Sequence, residues 1–450
     1  MEKVNEKEKM IYTFQNMNKE DVKVFLPKME IDMETMKQIK HMSDNTVLKN
    51  IRIMPDCHRG HGCCVGLTAK IDDKVFPRYV GVDIGCGISM YPLNIKLKPK
   101  KIPKLEQAIR KLIPMGAGVS GKNKSCMVRD EDWKWLQEKC DIDLENLKEN
   151  TREKFPLYHH PETLDKQYFV DMMERIGCKF DTDIKSVGTL GGGNHYVEIN
   201  EQSNIDDINY ITVHSGSRNI GYKICHYHQA KIDDNSDFDR VEYAQRAKHI
   251  DRTFKVSKII KELKSDVRDE LMANRHPNYL EGDEMMNYLV DMIVGQNLAC
   301  LNRLIMIRNF VEFAIGEFDP KNIIETRHNY IDFDRFLLRK GSISAEDGET
   351  CIISLNMRDG VLLCKGKGNA DWNYSSAHGC GRLMSRLQAS RLSLKEFKKE
   401  MQDVYSTCVR KETLDESPMA YRDAELVKKC IGESVEILQQ LKPVINCKGF

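Results

Sequence analysis

Glycine partitions this chain into contrasting stretches, and that partition constrains the fold more than any composition figure. From 51 to 93 short apolar runs stop at glycines (IRIMPDCHRGHGCCVG, then VGVDIGCGISM), the pattern of strands separated by tight turns. The pattern returns at 186–199 (SVGTLGGGNHYVEI) and 210–218 (YITVHSGSR), and again at 323–336, 339–344 and 352–364. Between these, residues 237–318 hold only three Gly and one Pro among abundant Leu, Met, Lys, Glu and Arg, which predicts a mostly helical block. Residues 131–174 read as helices and polar loops, residues 1–50 as a polar entry with a helix around Met33 to Met42, and the chain from Ser385 to the closing VINCKGF as helices. No internal repeat or low-complexity linker is visible. The simplest architecture is a single large α+β domain over residues 1–450, with central β-sheets and the helical block at 237–318 inserted.

Charge and cysteine usage narrow the function classes. Lys and Arg number 69 against 68 Asp and Glu, so no global field draws the chain to nucleic acid, and any such surface must be local. The segment 96–104 (KLKPKKIPK) reads as an exposed basic connection, either plainly solvated or in touch with a polyanion. The 15 Cys are odd in number, scattered and without a CxxC pair, which fits small core residues in a reducing, cytoplasmic setting and excludes zinc ribbons. With 41% hydrophobic and 30% charged residues the composition is globular, so disorder, collagen and membrane spans are not expected. The polar start MEKVNEKEKM predicts no signal peptide.

Several motifs carry little. GAGVSGKN at 116–123 nearly matches a phosphate loop, but Asn123 replaces the magnesium-binding hydroxyl. His226 and His228 are two apart, which on a helix turns them to different faces, and His159-His160-Pro161 reads as a loop. His58 and His61 lie with Asp56 in what reads as a glycine-bounded turn, fit for a substrate contact or for supporting other ligands.

Five segments are harder to explain as packing. Asp83 and Cys86 share the turn VDIGCG; His195 follows GGGN; His214 ends ITVH; His328 lies in ETRHNYID. Together they offer a carboxylate, a thiolate and three imidazoles at strand-to-turn junctions, a set that suits first-row divalent metals, with the thiolate able to bridge two ions. The fifth, DWNYSSAHGCGRLMSR, carries His378, Arg382 and Arg386; a helix starting near Gly381 would put both arginines on one face, and with Arg218 in HSGSRN they favour phosphate. In a regular strand Asn194 and Glu198 share a face that His195 does not, so either the strand begins after His195 or the glycines bend it.

VGVDIGCG, GGGNHYVEI, VHSGSRNIG, HNYID, RKGSISAEDGE, NMRDG, GKGN, SSAHGCGRLMSR and the terminal NCKG together resemble the RtcB RNA ligases, in order from Pro55 to Lys448, in the manner of a divergent, shorter bacterial-type member. The resemblance implies a GTP- and Mn²⁺-dependent enzyme, with two ions in its active site. Its reaction joins an RNA 3′-phosphate, or a 2′,3′-cyclic phosphate after opening it, to a 5′-hydroxyl, in RNA repair or tRNA splicing. It implies that Cys86 bridges the ions, one also held by Asp83 and His195 and the other by His214 and His328, and that His378 becomes guanylylated. GTP contacts would fall on Asn194, Glu198, Asn356, His378, Tyr421 and Lys448, and RNA phosphates on Arg218, Arg382 and Arg386. NMRDG replaces the family's serine-containing turn, and Cys380 stands where alanine is usual. Two other readings are a two-metal cyclic phosphodiesterase that does not ligate and a non-catalytic RNA-binding protein. No membrane partner is expected, and the sequence names no activating protein.

Overall fold

A 33-residue helix, Gly282–Ala314, organises the interior. It has a single internal glycine after its first residue, Asp283 and Glu284 in its first turn where the helix dipole favours acid, and long apolar side chains on every face. By length and apolarity alone it could cross a membrane, but its apolar window is wholly buried inside this protein. Leu289, Ile293, Leu298, Leu301, Ile305 and Phe310 are all core residues, each contributing about 1.5–3 kcal/mol by burial. The computed structural model describes residues 10–44, 47–116, 128–202, 208–234, 240–253 and 279–449, with positions 260, 263, 264 and 267. Beyond Gly116 the glycine loop at 116–123 lies outside the described residues, as does much of the predicted helical block; its described parts are helices Arg240–Thr253 and Gly282–Ala314.

Two sheets pack around this helix in an α+β arrangement. The first has six strands in the order β1 (Tyr12–Gln15), β2 (Asp21–Val24), β3 (Lys49–His58), β4 (Val65–Lys70), β12 (Leu337–Lys340) and β11 (Asn329–Asp332). The second has seven, in the order β10 (Ile324–Arg327), β6 (Gly87–Pro92), β8 (Asn209–Ser215), β7 (Tyr196–Gln202), β17 (Val435–Cys447), β15 (Gly360–Gly366) and β14 (Thr350–Asn356). Two short pairs complete the set among the described residues, β13 (Ser342–Ser344) with β16 (Ser375–Ala377) and β5 (Lys74–Val75) with β9 (Leu280–Glu281). Consecutive strands β10 and β11 belong to different sheets, so the chain crosses from one sheet to the other at His328.

Helix Met33–Ser43 forms as expected, capped by the Asp32 carboxylate accepting from Thr35 N–H at 2.9 Å. Four expectations change. The entry residues also supply β1 and β2, so they extend a sheet. Asp56 and His58 are strand residues of β3, not turn residues. No helix starts at Gly381; the nearest begins at Arg386 behind the Ser385 cap, because Gly381 has φ 71 and presses against the Asp56 backbone. The tail from Val435 is the 13-residue strand β17 and not a helix, since pairing with β7 and β15 outweighs the helical preference of its Glu, Leu, Gln and Lys.

Candidate metal centre and active site

The second sheet ends its strands at one place. Cys86 immediately precedes β6, His195 immediately precedes β7, and His214 is the penultimate residue of β8, so three neighbouring strands bring a thiol and two imidazoles together. β7 begins at Tyr196, which resolves the question of facing: His195 lies before the strand and Glu198 within it. The crossover supplies His328, whose N–H donates to Cys86 O at 2.9 Å, locking that turn to the Cys86 turn. Two glycines make the approach feasible. Gly85 has φ 67, and a Cβ there would fall 2.6 Å from the Gln296 backbone; a Cβ on Gly216 would fall 1.9 Å from Asp83 Oδ1.

The donor atoms form a row. Asp83 Oδ2 lies 2.9 Å from His195 Nε2, which lies 3.5 Å from Cys86 Sγ; Cys86 Sγ lies 3.3 Å from His214 Nε2, and that nitrogen 3.3 Å from His328 Nε2. The ligand atoms of Cys86, His195 and His214 all fall within 4.8 Å of one another. His195 Nδ1 donates to Leu190 O at 2.9 Å, which turns Nε2 toward the row. Burial, then the neighbouring imidazoles, hold His214 and His328 well below the usual histidine range, so both are neutral. Burial and then Asp83 push the Cys86 thiol well up. Despite burial, His195 holds the Asp83 carboxyl below its ordinary value. A central sulfur with nitrogen donors on both sides and a carboxylate at one end fits a first-row divalent metal. The buried His328 Nδ1 has no hydrogen-bond partner.

His378 follows β16 and is half-buried, with its ring centroid 4.8 Å from that of His328. Asp56, fully buried in β3 of the other sheet, accepts from the backbone N–H of His378 and Gly379 at 3.1 Å each, and its Oδ2 lies 2.6 Å from His378 Nδ1. Asp56 belongs to the site as the partner of His378, a role the sequence did not assign it. Its only signal there is a carboxylate inside the apolar run IRIMPDC. His58 is set aside from this pairing: Nδ1 bonds Asp56 O at 2.9 Å, and burial lowers it to about 4.

The remaining predicted residues lie in four settings. Lys448, directly after β17, donates to Asn194 O at 3.1 Å and lies 3.5 Å from Glu416 Oε2. Tyr421 donates to the same Glu416 oxygen at 2.7 Å, and Arg386 donates to Glu416 Oε1 at 2.5 Å. Arg382 donates to Asp415 O at 2.5 Å. Glu416 thus gathers Lys448, Tyr421, Arg382 and Arg386 around one buried carboxylate that sequence reasoning missed, because DES in a polar stretch carries no pattern. Burial opposes its charge, and Arg386, Lys448 and Arg382 outweigh it, holding the carboxyl below its ordinary range. Arg218 stands apart from those arginines, near Asp83 at one end of the donor row: Nε donates to Thr189 Oγ1 at 3.3 Å, and its backbone has φ 58. Glu198 is buried between amides, accepting from Asn200 at 2.8 Å and Asn446 at 2.7 Å. Asn356 closes the β14–β15 turn, accepting from Arg358 N–H at 2.9 Å and Asp359 N–H at 3.0 Å and donating to Asp359 Oδ2 at 2.7 Å. His226 and His228 do face apart: His226 is exposed, while His228 Nε2 pairs with Asp291 at 2.7 Å in the core.

A family described as tRNA-splicing ligase RtcB matches residues 37–449. The RNA-splicing ligase RtcB of Escherichia coli K12 is 28% identical over 425 residues, covering 90% of this chain and 91% of that protein. The tRNA-splicing ligases RtcB of Methanococcus maripaludis and Nanoarchaeum equitans are each 25% identical, over 88% and 90% of this chain and 87% and 89% of their own lengths. With a match that spans nearly the whole sequence, the chain belongs to the RtcB family.

Proposed function

We propose that the protein is an RNA ligase that joins a 3′-phosphate or 2′,3′-cyclic phosphate end to a 5′-hydroxyl end, with GTP as its energy source and His378 as the carrier of GMP. The observation that supports this most is the setting of His378, an imidazole between a buried carboxylate and the end of a metal-donor row. With its Nδ1 side against Asp56, Nε2 is the nitrogen left to attack the α-phosphate of GTP, forming an N–P bond and expelling pyrophosphate. Positive charge grows on the ring as that bond forms, and the carboxylate 2.6 Å from Nδ1 stabilises it. GMP then passes to the RNA 3′-phosphate as an anhydride, and the 5′-hydroxyl attacks that phosphorus and releases GMP. Asp83, Cys86, His195, His214 and His328 would hold two Mn²⁺ ions, which when bound draw charge from the phosphoryl oxygens.

The other residues position substrates. Arg218, Arg382 and Arg386 receive RNA phosphates, which for the last two means exchanging the carboxylates of Asp415 and Glu416 for phosphate oxygens of like charge. Asn194, Glu198, Tyr421 and Lys448 form the nucleotide side. Asn356 serves it by fixing the β14–β15 turn, since its amide is engaged there. The work of such a protein is RNA repair or tRNA splicing in the cytoplasm. The test is a reaction of two RNA strands bearing a 3′-phosphate and a 5′-hydroxyl, with GTP and Mn²⁺. Joined product that depends on GTP is expected. Opening of a cyclic phosphate without joining, or RNA binding without turnover, would contradict the proposal.

A further inference from the structure

The central helix buries a few polar side chains among its apolar ones, and one turn of it carries two of them, Asn302 and Arg303, with no exposed surface. Burying an amide and a guanidinium is costly unless their hydrogen bonds are met, and here they are met by the backbone around the donor row. Asn302 Oδ1 accepts from Gly188 N–H at 2.6 Å and Thr189 N–H at 3.1 Å, while Nδ2 donates to Ser215 Oγ at 3.1 Å and Gly216 O at 2.9 Å. Arg303 Nη1 donates to Gly85 O at 2.9 Å and Ser215 O at 2.6 Å, Nε donates to Ser89 Oγ at 3.0 Å, and Nη2 pairs with Glu325.

Those partners are the chain neighbours of the proposed ligands. Gly85 precedes Cys86, Ser215 follows His214, and Glu325 lies three residues before His328. His195 is reached through a relay: Asn302 fixes Ser215 Oγ, Ser215 Oγ donates to Leu190 O at 3.0 Å, and that same carbonyl accepts from His195 Nδ1 at 2.9 Å. We propose that Asn302 and Arg303 are positioning residues of the metal centre, a two-residue staple that sets the spacing of the segments bearing Cys86, His195, His214 and His328. The inference rests on the reading of the donor row as a metal centre. Arginine is required because one planar guanidinium spans two carbonyls and a carboxylate at once, which a lysine ammonium cannot do with the same geometry. Outer partners of this kind typically govern metal affinity by about 10–100-fold.

The test is Co²⁺ binding to the full-length protein, followed by calorimetry and by the near-ultraviolet thiolate-to-cobalt absorption. Wild type is expected to bind with that band, and Cys86→Ser to lose it; absence of binding by wild type would overturn the metal centre itself. Arg303→Lys retains the charge facing Glu325 and Asn302→Ala removes the amide, and the metal-free unfolding of each is measured alongside. The expected result is Co²⁺ affinity about 10–100-fold weaker and an altered band, in variants whose metal-free form still unfolds cooperatively. Arg303→Lys, the milder change, decides the matter. If it binds Co²⁺ with wild-type affinity and an unchanged band, the pair is merely structural and the proposal fails, while the metal centre stands.

Discussion

Glu198 differs in chemistry between the folded and unfolded chain, and the sign of its effect can be worked out. Burial, opposed by the amides of Asn200 and Asn446 and by Lys448, raises its pKa from 4.5 to about 7. The folded protein therefore holds this proton more tightly than the unfolded chain. The associated stability is fully present below about pH 4.5 and is lost as pH rises through 7. Glu198→Gln, which cannot ionise, is expected to be more stable than wild type at pH 8 by on the order of 3 kcal/mol and no more stable near pH 4, as read by urea unfolding at the two pH values. Asp56 makes a kinetic prediction. Asp56→Asn keeps acceptors for the His378 and Gly379 amides but removes the negative charge beside the ring, so guanylylation is expected to slow by about 100-fold or more in single-turnover measurements while GTP affinity changes little. Equal rates would remove Asp56 from the account.

At the scale of elements, turns and strand ends do the positioning. Gly85 combines a left-handed backbone with contact against the central helix, so Gly85→Ala is expected to cost more than about 1 kcal/mol in denaturant unfolding and to weaken metal binding with it. The turns bearing Asp83, Cys86, His195, His214 and His328 were legible in the sequence because each pairs a candidate donor with glycines or a β-branched run within a few positions. Most of β17 was not: VEILQQLKP, before the closing VINCKGF, reads locally as helical, and what makes it a strand is its place between β7 and β15, with register shifts at Leu363 and near Pro443 that absorb the proline. The arginine pair was legible as a pair but for the wrong reason. Arg382 and Arg386 converge on Glu416 from an extended segment and a helix start, not along one helix face.

Across the whole molecule, the site lies where two sheets meet, one giving Asp56 and the other the donor row, with His328 at the crossing. Groups brought together only by such assembly leave no local trace, which is why Asp56, Glu416, Asn302 and Arg303 emerge only in the folded structure while Cys86 and His195 stand out in the sequence. Because the donors come from distant parts of one chain, bound metal should stabilise the whole fold. Saturating Mn²⁺ at about 100 times its dissociation constant is expected to add about 2.7 kcal/mol to wild type and little to Cys86→Ala, by thermal unfolding with and without the ion. The central claim is that His378 takes up a nucleotide, and the direct measurement is incubation with α-³²P-labelled GTP and Mn²⁺ followed by denaturation and peptide mapping. The account predicts label retained on the denatured protein, located at His378 and absent from His378→Ala. Undiminished label in His378→Ala, or no covalent label in wild type that binds metal and GTP, would contradict it.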